Sequence, residues 1–306
     1  MPPLFKYTML LLLSKEGFSM INQLSIDDFY QEMTKKNIGV YTEEEQARLR
    51  NSKVIIFGLG GVGGMESILC ARSGIGHISG VDPDIFELSN TNRQMLAMTS
   101  TMNEYKSVAA ERHLKDINPY LSTNFQNVRV TEENVFELMH GHDLVLEALD
   151  DMPSRIVVHR AARKLGIPSI SMSGSPPHRG FVSAFLPDGI SYEEALNIQT
   201  QGKSISDPEV TQFVQEIKKK RAQFSVTKGA PQSWADDFCS GKAGWIITPI
   251  RATLIAAFSC HEAVQILIGQ KPLAAAPKGI YIDMDNLINP VSVINPECGH
   301  WEAYQI

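Results

Sequence analysis

The chain has 306 residues, 43% of them hydrophobic, and a formal net charge of −6. That length and apolar share can bury a large core in one big domain or two closely joined ones. The acidic balance argues against a general nucleic-acid binder, which would carry a basic surface. Cys70, Cys239, Cys260 and Cys298 form no CxxC pair, a usage that points to a reduced, cytoplasmic protein without a disulfide framework.

The amino-terminal end, residues 1–50, is expected to be a helical segment. Residues 9–13 form an apolar run between Lys6 and Lys15. The run is far short of the roughly 20 residues that span a bilayer and lacks a small-residue cleavage site, so neither a transmembrane helix nor a signal peptide is expected. Met20 is an alternative start, which would make residues 1–19 an extension. Residues 24–50 look helical, with Thr42 and Glu45 spaced as a capping box.

A strand and helix alternation begins at Lys53. Strands are expected at 54–57, 77–81, 122–128, 143–148 and 169–173, with helices at 64–73, 104–116, 132–139 and 154–165. This rhythm predicts an α/β fold with a doubly wound, Rossmann-like, mostly parallel sheet. Its core spans residues 51–186, ending in a strand at 179–186 that adds antiparallel. Residues 187–245 are polar and read as an insertion or crossover loop with one amphipathic helix at 209–224. Residues 246–306 return to order, with a long helix at 249–268 and antiparallel strands at 279–284 and 290–294 that complete the same domain. The stretch 247–268 is the most apolar one, but Thr248, Pro249, Arg251, His261 and Glu262 interrupt it.

Gly58, Gly60, Gly61, Gly63 and Gly64 follow the first strand and open a helix. Glycines there permit a tight turn and close backbone approach, and the helix amino end attracts phosphate. Asp82 ends the second strand, where its carboxylate can accept hydrogen bonds from ribose hydroxyls. The turn and Asp82 alone fit a dinucleotide oxidoreductase as well as anything else. Arg93, Lys106 and Asp150 follow at widening intervals. Two cations and a carboxylate of the kind that holds magnesium are odd for redox chemistry and natural for an enzyme that breaks ATP. A lone Arg or Lys on a helix is usually a solvated charge, and an Asp after a strand is often a turn former or helix cap; spacing lifts this quartet above those readings.

Leu88-Ser89-Asn90-Thr91-Asn92-Arg93-Gln94 closely resembles the LSNLQRQ signature of the ThiF/MoeB/HesA family, which includes the adenylation domains of ubiquitin-activating enzymes. The likeness extends over residues 43–186, through the segment ARSGIGHISGVDPD, to Lys106 opening a helix, Asp150 after the fourth strand, and Arg155. The resemblance implies that Gly58, Gly60, Gly61 and Gly63 hold phosphates, Asp82 the ribose, and Asn90, Arg93 and Gln94 the β- and γ-phosphates. Lys106 would lie beside the α-phosphate, Asp150 would hold Mg²⁺, and Arg155 would join the nucleotide-binding set. The implied reaction is ATP-dependent adenylation of a carboxylate with release of pyrophosphate. The acceptor would be the C-terminus of a ubiquitin-like or sulfur-carrier protein, a peptide, or a modified tRNA nucleoside, the last weakened by the acidic composition. A homodimer is implied as well.

The chain departs from that family in three places. Many relatives carry two CxxC pairs for a structural zinc; here residues 186–192 have no cysteine and the C-terminus offers only Cys298 and His300, so no zinc site is expected. Cys239 is the one thiol placed where an acyl-accepting cysteine would lie, and a buried or incidental role is the simpler reading; Cys70 and Cys260 read as core residues. The arginine that relatives supply across a dimer has no obvious counterpart, with Lys35 or Lys36 as substitutes. Two other functions stand beside adenylation: an NAD- or FAD-dependent oxidoreductase, and a catalytically silent nucleotide-binding scaffold.

Overall fold

The computed structural model describes residues 24–198, 200 and 202–294. Two short helices open them, α1 (Ile26–Thr34) and α2 (Glu43–Asn51). Where one helical stretch was expected, the chain breaks at Gly39, whose φ of +104° excludes a helix, and restarts at Thr42. Thr42 and Glu45 form the expected capping box, each side chain bonding the other's backbone N–H.

The alternating part then runs β1 (Lys53–Phe57), α3 (Gly61–Ser73), β2 (His77–Val81), α4 (Lys106–Ile117), β3 (Ser122–Gln126), α5 (Val135–Met139), β4 (Leu144–Glu147), α6 (Met152–Leu165) and β5 (Ser169–Ser175). β6 (Arg179–Phe185) turns back antiparallel. The connection carries α7 (Tyr192–Ala195), α8 (Pro208–Thr227) and α9 (Gln232–Cys239) before the long α10 (Pro249–Leu267), β7 (Gly279–Asp283) and β8 (Val291–Ile294). All eight strands form one sheet in the order β3-β2-β1-β4-β5-β6-β7-β8. β1 to β5 pair in parallel and β5 to β8 antiparallel, the mostly parallel doubly wound sheet that the strand and helix rhythm predicts.

Strand composition follows from burial on both faces. In β1, Val54 and Ile56 enter the core built with α3, α4 and α10, while Ile55 and Phe57 enter the opposite core with α5 and α6. Helix ends are set by local chemistry. α3 and α6 stop at Gly74 and Gly166, which take the left-handed conformation at φ +88° and +69°. α6 starts before the expected residue 154 because the Asp151 side chain caps it, accepting from the Ser154 N–H at 2.9 Å, and Pro153 fits its first turn.

The crossover holds three helices where one was expected. Trp234, Phe238 and Trp245 pack ring on ring and close a small core with Ala222, Ala230 and Ala235, so α8 and α9 fold as a unit. α10 is the one helix among the described residues long and apolar enough to cross a membrane. It lies across the sheet against α3, with Ala252, Ile255 and Val264 in the core and Arg251 and Glu262 buried within it.

Candidate nucleotide site

Strand order reverses around β1, with β2 and β3 on one side and β4 and β5 on the other. In a doubly wound sheet a crevice opens there, beyond the carboxyl ends of the strands. Gly58 leaves β1 at φ +89°, so close to the end of β4 that a Cβ would lie 2.7 Å from the Ala148 carbonyl oxygen. A Cβ on Gly63 would lie 1.8 Å from the Gly58 carbonyl oxygen. Those two glycines are demanded by the turn itself. Gly60 and Gly61 instead face side chains, Gly60 the Gln94 amide and Gly61 Arg93 and Ala252. Gly60 is also the N-cap of α3 and offers no side-chain cap, so the first helical N–H groups are left for a ligand.

Asp82 is tied directly to this turn. One carboxylate oxygen accepts the Leu59 N–H at 2.7 Å and the other the Asp84 N–H at 2.9 Å. Burial raises its pKa, while the Lys106 charge and those two N–H groups pull the other way. Lys106, the first residue of α4, sends its ammonium to Asp84 at 2.9 Å and to Asp82 at 3.9 Å. Its backbone N–H also donates to the Asp84 carbonyl at 2.9 Å. Asp84 therefore holds Lys106 at two points, a role that reading Asp82 alone as the strand-ending carboxylate passed over. The second Asp of Val-Asp-Pro-Asp was the available signal.

The loop after β2 returns to the glycine turn from above. Asn90 is a turn former here, its side-chain oxygen accepting the Glu87 N–H at 3.1 Å. Arg93 rests its stem and carbonyl against Gly61. Its guanidinium donates to the Ser89 carbonyl and the Asn92 side chain, both at 2.9 Å, and meets no carboxylate within 4.0 Å among the described residues. Gln94 lies beside Gly60 with its Oε1 buried and without a hydrogen-bond partner. A buried orphan acceptor next to an uncapped helix start is expected where a ligand completes the bonding. Asp150 is exposed, two residues beyond Ala148, whose carbonyl lies against Gly58. The structure thus brings the glycines, Asp82, Lys106, Arg93 and Gln94 together, while Asp150 touches none of them among the contacts described.

Arg155 does not join them. It is buried against the other face of the sheet, donating to Glu147 at 2.9 Å and Ser171 at 3.1 Å and also to the Met172 carbonyl. His159 approaches the same Glu147 oxygen at 3.4 Å and stacks on Tyr192. Burial alone would raise the Glu147 carboxyl, but Arg155 and His159 together hold it below its ordinary range. Burial pushes His159 down as well, against the pull of Glu147. Glu147 ends β4 inside an apolar run, where sequence reading saw only a strand. The expected nucleotide contact is a structural ion pair.

Cys239 closes α9, half-buried, in a cavity of about 280 Å³ that Lys219, Lys220 and Asp236 also line. Lys35 and Lys36 are exposed, and Lys35 pairs with Glu32 on its own helix. Cys70 and Cys260 are buried with their sulfurs 3.9 Å apart, core residues as expected. Cys298 and His300 lie outside the described residues.

The model of the ThiF family matches residues 34–299. The chain belongs to the ThiF family. Among curated relatives, this ThiF-family chain is 33% identical over 145 residues to the sulfur carrier protein adenylyltransferase of Thermus thermophilus, a match covering 47% of this chain and 52% of that protein. It is 31% identical over 131 residues to the adenylyltransferase and sulfurtransferase UBA4 of Candida albicans, covering 43% of this chain and 30% of that one. The matched part thus spans about half or less of each relative's length. Two solved structures share the fold. E. coli MccB, solved with MccA-N7isoASN, superimposes with a TM-score of 0.61 at 20% identity, covering 84% of this chain and 67% of that one. PaaA does so with a TM-score of 0.58 at 20% identity, covering 88% and 71%.

Proposed function

We propose that this ThiF-family chain is an ATP-dependent adenylyltransferase, which joins a carboxylate to the α-phosphate of ATP and releases pyrophosphate. The observation that carries the reading is the convergence of an uncapped helix start, the Asp82–Asp84–Lys106 chain and the Arg93–Gln94 pair on one glycine turn. A dinucleotide oxidoreductase would use the turn and Asp82 but leave Arg93 and Lys106 idle.

In this reading the glycine turn and α3 hold the phosphates through backbone N–H groups, and buried Asp82 takes the ribose. Arg93 grips phosphate oxygens with its planar fork. Lys106, released from Asp84 as the anion arrives, neutralises charge that builds on the α-phosphate. The acceptor's ionised carboxylate oxygen attacks phosphorus and pyrophosphate departs with the bonding pair, so no general base is required. Catalysis is positioning and charge neutralisation. Asp150 is an exposed carboxylate with no ion-pair partner among the described residues, and one carboxylate with phosphate oxygens is a donor set that suits Mg²⁺. Mg²⁺ held there would screen the triphosphate.

The name of the Thermus thermophilus relative supports a sulfur-carrier protein as acceptor, and the C-terminus of a ubiquitin-like protein or of a peptide would offer the same carboxylate. A homodimer and a cytoplasmic location belong to the same reading, the latter supported by the free Cys70, Cys239 and Cys260 thiols. Cys239, half-buried at a helix end, is the residue to replace if an acyl group passes to the enzyme. The test is the product pair. Incubation with ATP and a sulfur-carrier-type protein ending in a free Gly-Gly carboxylate should yield AMP and pyrophosphate, and the C-terminal amide should yield neither. Release of ADP and orthophosphate instead, or ATP binding without turnover, would overturn the reading.

A further inference from the structure

The parallel strands begin at the end of the sheet away from the glycine turn, and a second group of titratable side chains gathers there. His77 opens β2 and Ser79 follows two residues on, so both side chains leave the same face of the strand. Ser122 opens the neighbouring β3 and pairs with His77 in register. His142 stands between α5 and β4. The two imidazole rings lie 5.6 Å apart between centres, and both turn an Nε2 toward Ser79, which is 2% exposed.

Four contacts run through this group in sequence. Ser122 Oγ lies 2.8 Å from His77 Nδ1, and His77 Nε2 lies 3.0 Å from Ser79 Oγ. Ser79 Oγ lies 2.8 Å from His142 Nε2, and His142 Nδ1 lies 3.2 Å from the Met139 carbonyl oxygen. The partners fix where each proton sits. A carbonyl only accepts, so neutral His142 carries its proton on Nδ1 and its Nε2 is a bare acceptor. The one proton of the Ser79 hydroxyl goes to that acceptor. Ser79 Oγ is then left to accept, so His77 carries its proton on Nε2, and its Nδ1 accepts from the exposed Ser122 hydroxyl. Every donor in the neutral chain points from Ser122 toward Met139.

Burial is the main reason both imidazoles stay neutral, lowering each pKa. Lys53 at the start of β1 lowers both further, and His77 lowers His142. The Met139 carbonyl and the Asp143 carboxylate pull His142 the other way, and neither acts on His77. β3 and α5 contribute only the uncharged Ser122 hydroxyl and Met139 carbonyl. A single added proton is therefore best placed on His142. A second would set two cations side by side near Lys53, so the pair titrates as a unit that takes up one proton first. That proton enters at the exposed end. His77 Nδ1 takes it and Nε2 releases its own to Ser79 Oγ, whose hydroxyl proton passes to His142 Nε2. His142, now an imidazolium, donates from both nitrogens. Ser79 donates to His77, and His77 donates to Ser122. All four contacts survive, and three have exchanged donor and acceptor.

We propose that Ser122, His77, Ser79 and His142 form a proton relay, a pH-sensitive device in which one proton taken from solvent at β3 appears as charge on His142 while the hydrogen bonds between them reverse direction. Ser79 fits that use better than packing alone. Val81, two residues on along the same face, enters the core with Ile55 and Val145. A hydroxyl at 79 is thus buried where an apolar group would otherwise fit, and its two imidazole partners offset that cost. The charge arrives next to Asp143, whose carboxylate accepts the Lys53 N–H at 2.7 Å and so holds the first residue of β1, the strand that ends in the glycine turn. The relay uses none of the residues assigned to the nucleotide, and it stands whether or not the adenylation reading holds.

The test is long-range proton–nitrogen NMR of the full chain, isotope-labelled at histidine and followed from about pH 8 to about pH 5, with His77→Gln and His142→Gln used to assign the signals. Above the ordinary histidine value of about 6.5, His142 should carry its proton on Nδ1 and His77 on Nε2. As pH falls, His142 should charge first, and His77, still neutral, should move its proton to Nδ1 in step with it. Ser79→Ala interrupts the chain, so His142 should then charge with no change of tautomer at His77. The unmodified chain decides the matter by itself if Ser79→Ala does not fold. A proton on His142 Nε2 at the alkaline end, His77 charging before His142, or a His77 tautomer that never changes would each overturn the proposal. So would a tautomer exchange that persists in Ser79→Ala.

Discussion

At the scale of single residues, the contrast between Arg93 and Arg155 shows how charge and burial assign roles. Both are arginines in the stretch that resembles the family, but Arg93 faces the glycine turn with no carboxylate while Arg155 neutralises Glu147 in the core. Removing one partner of a buried pair strands the other, typically at about 3–5 kcal/mol. Arg155→Met should therefore lower stability by about that much in urea unfolding while leaving ATP affinity within about threefold. Adding Glu147→Gln should recover part of the loss. A large fall in ATP affinity with stability unchanged would return Arg155 to the nucleotide site. The intervals between Asp82, Arg93 and Lys106 singled them out in the sequence, and in the structure Asp82 and Arg93 adjoin the glycine turn while Lys106 reaches Asp82. Asp84 and Glu147 were not singled out, because their roles lie in the cations beside them, Lys106 and Arg155, which come from other elements of the chain.

Among elements, the parallel half was readable because β1 and β4 are short apolar runs and α3 and α6 end at glycines. α6 starts at the Asp151 cap. Asp151→Ala should cost about 0.5–2 kcal/mol by unfolding, the usual value of a lost side-chain cap, and a cost near zero would mean the Asp151–Ser154 bond contributes nothing. The crossover was less readable. Its helices α8 and α9 are held by aromatic contacts between Trp234, Phe238 and Trp245, and a polar segment with three scattered rings has no periodicity that announces a core. The start of α2 was announced by the Thr42–Glu45 capping box, while the break before it rests on one glycine with positive φ.

Over the whole molecule, buried titratable groups give stability a defined pH dependence. His77, His142 and His159 all have lowered pKa values, burial being the main cause in each. Below the unfolded value of about 6.5 the unfolded chain therefore binds more protons, and stability falls as pH drops. Glu66 acts in the opposite sense. Burial raises its carboxyl to about 8 against a smaller downward pull from the Ser259 hydroxyl, with the charge of Glu147 adding to the rise. Its contribution is complete below the unfolded carboxyl range and is lost as pH rises toward about 8. Urea unfolding from pH 5 to 8.5 should give a dome near neutrality, with Glu66→Gln flattening the alkaline side and His159→Gln the acid side. A monotonic curve in the unmodified chain would contradict these assignments.

On the proposed function, one glycine turn gathers the cations that let a carboxylate displace pyrophosphate from ATP. Exchange of labelled pyrophosphate into ATP, driven by a carrier protein with a free Gly-Gly end, tests it most directly. The unmodified chain should exchange, and Arg93→Ala and Lys106→Ala should each slow exchange by about 10²–10³, the usual effect of losing a preorganised charge donor, with unchanged unfolding curves. Exchange that persists at the unmodified rate in both variants would contradict the account.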